Sequence, residues 1–231
     1  MTDYDRFLVE AVTKHGAQIF TLDQIADIWR GEKYKPGQIL AGEAFEQGRT
    51  DGGVLVLSAS NHRSSKKDKI DVFDLKAILT ANVAATVKQD QLLQPDDILV
   101  MVSGKSGKVA RFEDFLAELL GPESRTRVVA TDKHAVIRLQ NEFKESFGKH
   151  GLSRILSSAL YQLHIQGLAD GAKVRKIDPR LLAGIKIPIF PRNKAILLNI
   201  LFHALPQSPL EKILSRGHIN RFADLLVIQG R

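Results

Sequence analysis

The segment from Ile98 to Phe112, ILVMVSGKSGKVARF, constrains the fold more than any other part of the chain. Two apolar runs flank a short polar loop that contains Gly104 and Gly107. Because glycine accepts positive φ angles and the flanking residues favour extended structure, this order predicts two strands joined by a tight hairpin turn. The turn would project polar side chains that can contact a nucleic-acid backbone: Ser103, Lys105, Ser106 and Lys108. A solvated hairpin with incidental lysines would have the same sequence, so both interpretations stay open here.

The same loop contains Gly-Lys-Ser and has to be compared with the phosphate-binding loop of NTPases. That motif requires a glycine, four spacers and Gly-Lys-Ser/Thr, followed by a helix. If residues 104–106 ended the motif, the first glycine would stand at position 99, which is Leu99. The alternative register requires glycine at Val102 and a hydroxyl residue at Val109. Both registers fail, and the following VARF continues as a strand, so the sequence argues against an NTPase.

Charge and cysteine content limit the classes of function. The 231 residues include 33 Lys and Arg against 26 Asp and Glu, a net charge of +7. A basic chain favours polyanionic partners such as nucleic acid or an anionic membrane. Cysteine is absent from the sequence, which excludes disulfides, thiol nucleophiles and thiolate metal ligands. No run approaches the roughly 18 apolar residues of a membrane span, and the acidic N-terminal turn does not resemble a secretory signal. We therefore expect a cytoplasmic protein without a membrane partner.

Apolar periodicity predicts helices on either side of a strand-rich middle. A first helix should end at Gly16, and a second should begin after Thr21 and continue through Trp29 to Gly31. The runs GGVLVLSAS and DDILVMVSG read as strands, and RVVATDKHAVIRL reads as two strands around a polar bend. A helical tract is predicted from Lys144 to Leu168. DPRLLAGIKIPIFP then predicts a helical turn followed by a strand.

These elements predict a mixed α/β (α+β) fold, a twisted sheet with flanking helices and a short C-terminal helical segment. We expect a main domain over residues 1–192 and a helical tail over 193–231. The apolar stripe of the tail could be core, or it could form a dimer or partner-docking face.

Two further loops concentrate basic and hydrogen-bonding side chains. The tract SASNHRSSKKDKID follows a predicted strand and supplies Asn61, His62, Arg63, Ser64, Lys66 and Lys67. The tract GAKVRKIDPR follows the helical region and supplies Lys173 and Arg175. Asn and Arg can make bidentate contacts with adenine and guanine edges, whereas Lys and Ser mostly contact phosphates. Each loop alone could be a solvated surface. Three such loops in one domain suit a concave face that embraces a DNA duplex.

The order of these features resembles one target-recognition domain of the specificity subunits of Type I restriction-modification enzymes. The resemblance covers roughly residues 20 to 192. In that family a Gly-Asp-Ile-Leu strand leads into a hairpin, and residues 96–99 read Asp-Asp-Ile-Leu here. The hairpin itself matches at 103–110, and the exit Ile-x-Ile-Pro matches at 185–188.

The resemblance implies a non-catalytic, sequence-specific reader of double-stranded DNA that needs no cofactor of its own. Family members dock on a DNA methyltransferase subunit, which carries the S-adenosylmethionine site. This chain has one such domain where the family usually has two, and the long helix expected after the exit motif is replaced by short helices. A half-length form could therefore pair with itself as a homodimer, or serve another bacterial defence effector.

Two alternatives belong to other classes. Asp96, Glu142 and Lys144 resemble the carboxylate and lysine set of a metal-dependent nuclease. The spacing is long, and chance matches to so short a pattern are frequent. A protein-interaction adaptor with an incidental basic face is the other alternative. The histidines form no zinc-binding pair at helical spacing, so no metal site is predicted.

Overall fold

The computed structural model describes residues 2–41, 53–58, 77–104, 106–113, 127–148, 150–169 and 176–191. The helices whose bounds lie within this part are α1 (Asp3–His15), α2 (Leu22–Ile25), α3 (Ala81–Ala84), α4 (Asn141–Phe147), α5 (Gly151–Ser157), α6 (Ala159–Gly167) and α7 (Pro179–Ala183). Its strands are β1 (Gln18–Thr21), β2 (Ala26–Arg30), β3 (Ile39–Leu40), β4 (Val54–Leu57), β5 (Ile78–Leu79), β6 (Ile98–Met101), β7 (Val109–Arg111), β8 (Arg127–Ala130), β9 (His134–Leu139) and β10 (Lys186–Ile189). None of the helices in these ranges is long and apolar enough to cross a membrane.

The strands form two larger sheets and one short pair. The first sheet has the order β2-β9-β6-β7 and is antiparallel throughout. The second has the order β3-β5-β4-β8, in which β4 and β8 run parallel. Strands β1 and β10 pair antiparallel and bring the two ends of the described chain together. Because helices and strands are mixed in this way, the predicted fold class is confirmed.

Alternating side chains of the first sheet build two cores on its opposite faces. Ile98 and Val100 of β6 pack with α1, α5 and α6, while Leu99 between them faces the second sheet. Strand β4 is buried along its whole length, with Leu55 and Leu57 against the first sheet and its other residues against α3. This two-sided burial explains why β4 reads as the continuous apolar run VLVL rather than as an alternating strand.

Helix α1 ends at the glycine that the sequence predicts. Thr2 and Asp5 form a capping box at its start, and Gly16 ends it in the left-handed conformation at φ 65°. The predicted strands β4, β6, β7, β8 and β9 and the helical turn before β10 are also confirmed. The helical tract near Lys144–Leu168 is present but divided into α4, α5 and α6. The predicted tail, 193–231, lies outside the described residues.

The predicted second helix is wrong beyond its first turn. Helix α2 stops at Ile25, and the residues up to Arg30 form strand β2 along β9. Their apolar spacing fitted a helix, but extended pairing with β9 buries Ala26 and half-buries Trp29, and β-branched and aromatic residues suit a strand. Gly31 is not a helix stop: a Cβ there would lie 2.3 Å from the Ala130 carbonyl oxygen, so glycine allows the two backbones to meet.

Candidate nucleic-acid interface

The β6–β7 hairpin has the tight tip that its glycines predict. Gly104 and Gly107 adopt φ angles of 81° and 92°. The Met101 carbonyl accepts a hydrogen bond of 2.7 Å from the Gly107 N–H, and the Met101 N–H donates to the Lys108 carbonyl at 2.8 Å. Main-chain hydrogen bonds therefore close the turn, and Gly104, Ser106 and Lys108 keep part of their surface accessible to solvent.

Helix α6 supports this tip from behind. The Gln162 side-chain amide donates to the Gly107 carbonyl at 2.9 Å and to the Leu156 carbonyl at 2.7 Å. A Cβ on Gly107 would contact side-chain atoms of Ile165 and Gln166, both at 3.4 Å. The hairpin tip is thus held against a helix, which limits the conformational freedom of its polar residues.

Main-chain hydrogen bonds connect the start of the first basic loop, the hairpin and Ile177 of the third basic tract. The first loop follows β4, and the Leu57 carbonyl at the end of that strand accepts from the Thr131 N–H at 3.0 Å. Thr131 begins the β8–β9 turn, and the Lys133 carbonyl in the same turn accepts from the Val102 N–H of the hairpin at 2.8 Å. The Val102 carbonyl in turn accepts from the Ile177 N–H at 2.9 Å.

The hairpin also pairs with the segment that leaves the third loop. Ser103 forms an isolated antiparallel bridge with Lys176. The end of β4, the β8–β9 turn, the hairpin and the residues around Lys176 therefore lie next to one another along one edge of the protein. We call this the loop edge.

A neutral histidine lies beneath the loop edge. His134 is completely buried at the start of β9, and its main chain bonds Gly31 and Thr131. Burial lowers the pKa of His134 to about 4, since desolvation disfavours the imidazolium. At neutral pH His134 therefore adds no charge to the loop edge. The exposed Lys133 in the preceding turn adds a positive charge there.

The predicted contact residues have different outcomes. Ser103 is 6% exposed, so the prediction that its hydroxyl projects from the tip is wrong: its backbone pairing with Lys176 turns it inward. Ser106 and Lys108 are half-buried on the tip. The remaining predicted residues lie outside the described residues: Asn61, His62, Arg63, Ser64, Lys66, Lys67, Lys105, Lys173 and Arg175.

The candidate nuclease residues form a surface ion pair. The Lys144 Nζ lies 3.1 Å from the Asp96 Oδ2, and both side chains are about half exposed. Glu142 is exposed in the first turn of α4. Within the described ranges no group of three or more His, Asp or Glu side chains is arranged to hold a metal ion. The pair can neutralise surface charge, and isolated pairs of this kind contribute little to stability.

Sequence reasoning missed the residues that support the interface. Gln162 lies within an apolar helical repeat, and nothing local distinguishes its amide from that of any exposed glutamine. Asp97 was matched only as part of a motif, yet it is completely buried and binds Arg138 through both carboxylate oxygens, at 2.8 and 2.7 Å. Asp96 lies in the turn before β6 and is exposed, whereas Asp97 directly precedes the buried strand, and only the full tertiary fold distinguishes the two carboxylates.

Comparison with solved structures identifies the fold. No protein-family model matches the sequence, and no curated protein matches it. The HsdS subunit from Thermoanaerobacter tengcongensis is 12% identical with a TM-score of 0.52, covering 96% of this chain and 47% of that chain. The type IIG restriction endonuclease BpuSI is 11% identical with a TM-score of 0.51, covering 88% of this chain and 28% of that one. The S subunit of a Type I restriction-modification system from M. genitalium is 17% identical with a TM-score of 0.46, covering 90% and 44%.

The chain spans less than half the length of each of these solved chains. At such low identity the likeness concerns the fold alone. It agrees with the resemblance that the order of sequence motifs indicated, and it extends over nearly the whole chain. The chain therefore has the fold of about one half of an HsdS specificity subunit.

Proposed function

We propose that this protein is a sequence-specific reader of double-stranded DNA in a restriction-modification or related bacterial defence system. The loop edge carries this proposal, because main-chain bonds bring one end of each of the three basic segments beside the others. A duplex is gripped efficiently when cationic and hydrogen-bonding loops approach it from one side. The similar solved structures are named as an HsdS subunit and a type IIG restriction endonuclease, which supports a DNA substrate.

The contacts divide by chemistry into two classes. Lys66, Lys67, Lys105 and Lys108 would contact phosphates, and the Ser64 and Ser106 hydroxyls would add hydrogen bonds to the same oxygens. Base reading would fall to Asn61, His62 or Arg63 of the first loop and to Arg175 of the third, with Lys173 beside it. Each good bidentate contact distinguishes the correct base by about 1–3 kcal/mol.

The protein would act without catalysis of its own, in the cytoplasm, by directing a DNA methyltransferase subunit or another defence effector to its site. A homodimer formed through residues 193–231 would read a symmetric two-part sequence, because twofold protein symmetry matches twofold DNA symmetry. Residues 1–192 would then form the reading domain.

Selection of bound duplexes from a random pool tests this proposal. We expect an enriched consensus, and a palindromic two-part consensus would support the homodimer. Arg63→Ala should relax preference at one base pair, whereas Lys108→Ala should weaken all sequences alike. Arg6→Ala on α1 removes the same charge from an exposed position outside the loop edge and should change neither property. Absence of any consensus would favour the interaction adaptor.

The nuclease alternative makes a separate prediction. Incubation of the purified protein with plasmid and Mg²⁺ should leave the DNA intact if the protein only reads sequence. Cleavage that Asp96→Asn, Glu142→Gln or Lys144→Ala abolishes would establish the nuclease instead.

A further inference from the structure

A groove of about 710 Å³ lies at the loop edge, between the end of β2 and the start of α7. Arg30, Lys176 and Arg180 line it together with Asp178, and the apolar surface comes from residues such as Pro179 and Leu181. Lys176 and Arg180 belong to the third basic tract, GAKVRKIDPR, whereas Arg30 comes from the end of strand β2. The groove therefore joins the third tract to a cationic side chain from another part of the chain.

The groove has an excess of positive charge. Lys176 is exposed, and the Arg180 side chain is 93% exposed. Asp178 is the one acidic residue among the described residues lining the groove, and its carboxylate caps α7 by accepting a hydrogen bond of 2.9 Å from the Arg180 N–H. Three cationic side chains thus line the groove with one carboxylate, which caps α7 and lies 3.9 Å from the Arg180 Nε.

Arg30 is held in place at the other side of the groove. Its Nε donates to the Asp132 carbonyl in the β8–β9 turn at 2.8 Å, and its Nη2 lies 4.0 Å from the Asp132 carboxylate. The side chain is nevertheless 46% exposed. A guanidinium that is oriented by one bond and still open to solvent is well suited to contact an anionic oxygen.

The position of the groove relates it to the hairpin. Leu168 at one end of the lining precedes the third basic tract, and Lys176 lies within that tract. Lys176 also pairs with Ser103, so the groove continues directly from the base of the hairpin. A duplex contacted by the hairpin and the third loop would pass its sugar-phosphate backbone over this groove.

We propose that the groove binds the sugar-phosphate backbone of one DNA strand beside the base pairs that the loops read. This inference rests on the proposed function. Arg30, Lys176 and Arg180 would contact successive phosphates, and Pro179 and Leu181 would offer apolar surface to the deoxyribose. Such contacts supply affinity and register without sequence preference.

The test measures DNA affinity against salt concentration for the double variant Lys176→Gln/Arg180→Gln, both at exposed positions. The slope of log K against log salt should become shallower by about 0.9 for each lost phosphate contact, so by about 1.8 for the pair. Affinity for the selected sequence and for random duplex should fall by the same factor. Adding Arg30→Gln should reduce the slope further. The control Arg6→Gln/Lys14→Gln makes the same change in net charge on α1 and should leave the slope close to wild type.

Three results would overturn the inference. An unchanged slope in a wild-type background that does bind DNA would show that the groove makes no phosphate contacts, while the proposed function would stand. A loss confined to the selected sequence would show that the groove reads bases. Failure of the wild-type protein to bind any duplex would refute the proposed function and this inference together.

Discussion

Replacing Asp97 should destabilise the protein more than replacing any exposed acidic residue. Its carboxylate is completely buried and receives the Arg138 Nε at 2.8 Å and Nη2 at 2.7 Å, while the Arg138 side chain is 18% exposed. Removing one partner of a buried pair leaves the other charge without compensation, which costs about 3–5 kcal/mol. Arg138 would retain the Leu92 carbonyl at 2.8 Å and the face of Trp29 at 4.8 Å. We therefore expect Asp97→Ala to cost about 2–4 kcal/mol.

Urea unfolding measures this cost, and the neighbouring residue provides the control. With a slope of about 2 kcal/mol per molar urea, a loss of about 3 kcal/mol lowers the midpoint by about 1.5 M. Asp96→Ala removes a carboxylate whose side chain is 56% exposed and which bonds only Lys144 among the described residues, at 3.1 Å. That surface pair is worth about 0–1 kcal/mol, so the control midpoint should move little.

A double variant separates the uncompensated charge from a general packing defect. Asp97→Leu/Arg138→Met removes both charges and should be more stable than Asp97→Leu alone, because no partly buried guanidinium is left without its carboxylate. Equal midpoints for Asp97→Ala and Asp96→Ala would refute the reasoning. Additive losses in the double variant would do so as well, since they would show that the two side chains are not coupled.

Three further variants address the loop edge. Burial lowers the pKa of His134 from 6.5 to about 4. Between these pH values the unfolded chain takes up a proton at His134 and the folded chain does not, so the free energy of unfolding should fall with acid. About 3 kcal/mol of stability that is present above pH 6.5 should be lost by pH 4. His134→Leu should lack this part of the pH dependence in urea unfolding. Gly31→Ala should destabilise the protein by at least about 2 kcal/mol, because the new Cβ would lie 2.3 Å from the Ala130 carbonyl oxygen. In the control Gly37→Ala the Cβ meets nothing within 4 Å, so the thermal unfolding midpoint should not change. Gln162→Ala should leave the Gly107 carbonyl without its side-chain donor and weaken DNA binding, with little change in the unfolding midpoint.

Each of these expectations can fail in a distinct way. Identical pH profiles for His134→Leu and the wild type would show that the buried imidazole does not control acid stability. A stable Gly31→Ala protein would mean that β2 and the β8–β9 turn can separate without cost. Unchanged DNA affinity in Gln162→Ala would show that the hairpin tip is rigid enough without its contact to α6.

The sequence predicted elements well where local patterns decide the structure. The hairpin was predictable because its two glycines, its polar tip and its flanking apolar runs all require the same turn. The end of helix α1 was predictable because Gly16 readily adopts the left-handed conformation that ends a helix. The segment Ala26–Arg30 was not predictable, since its apolar spacing fits a helix, and only the long-range pairing with β9 makes it a strand.

The same distinction explains which parts of the candidate site could be found. A basic loop is visible in the sequence, but its place in space depends on hydrogen bonds between residues far apart, such as those that Val102 makes with Lys133 and Ile177. Ser103 was assigned outward because hairpin tips are usually exposed, yet the pairing with Lys176 buries it. That pairing is also what joins the hairpin to the third loop. Ser103, which was predicted to be exposed, is therefore one of the residues that connect two of the basic segments.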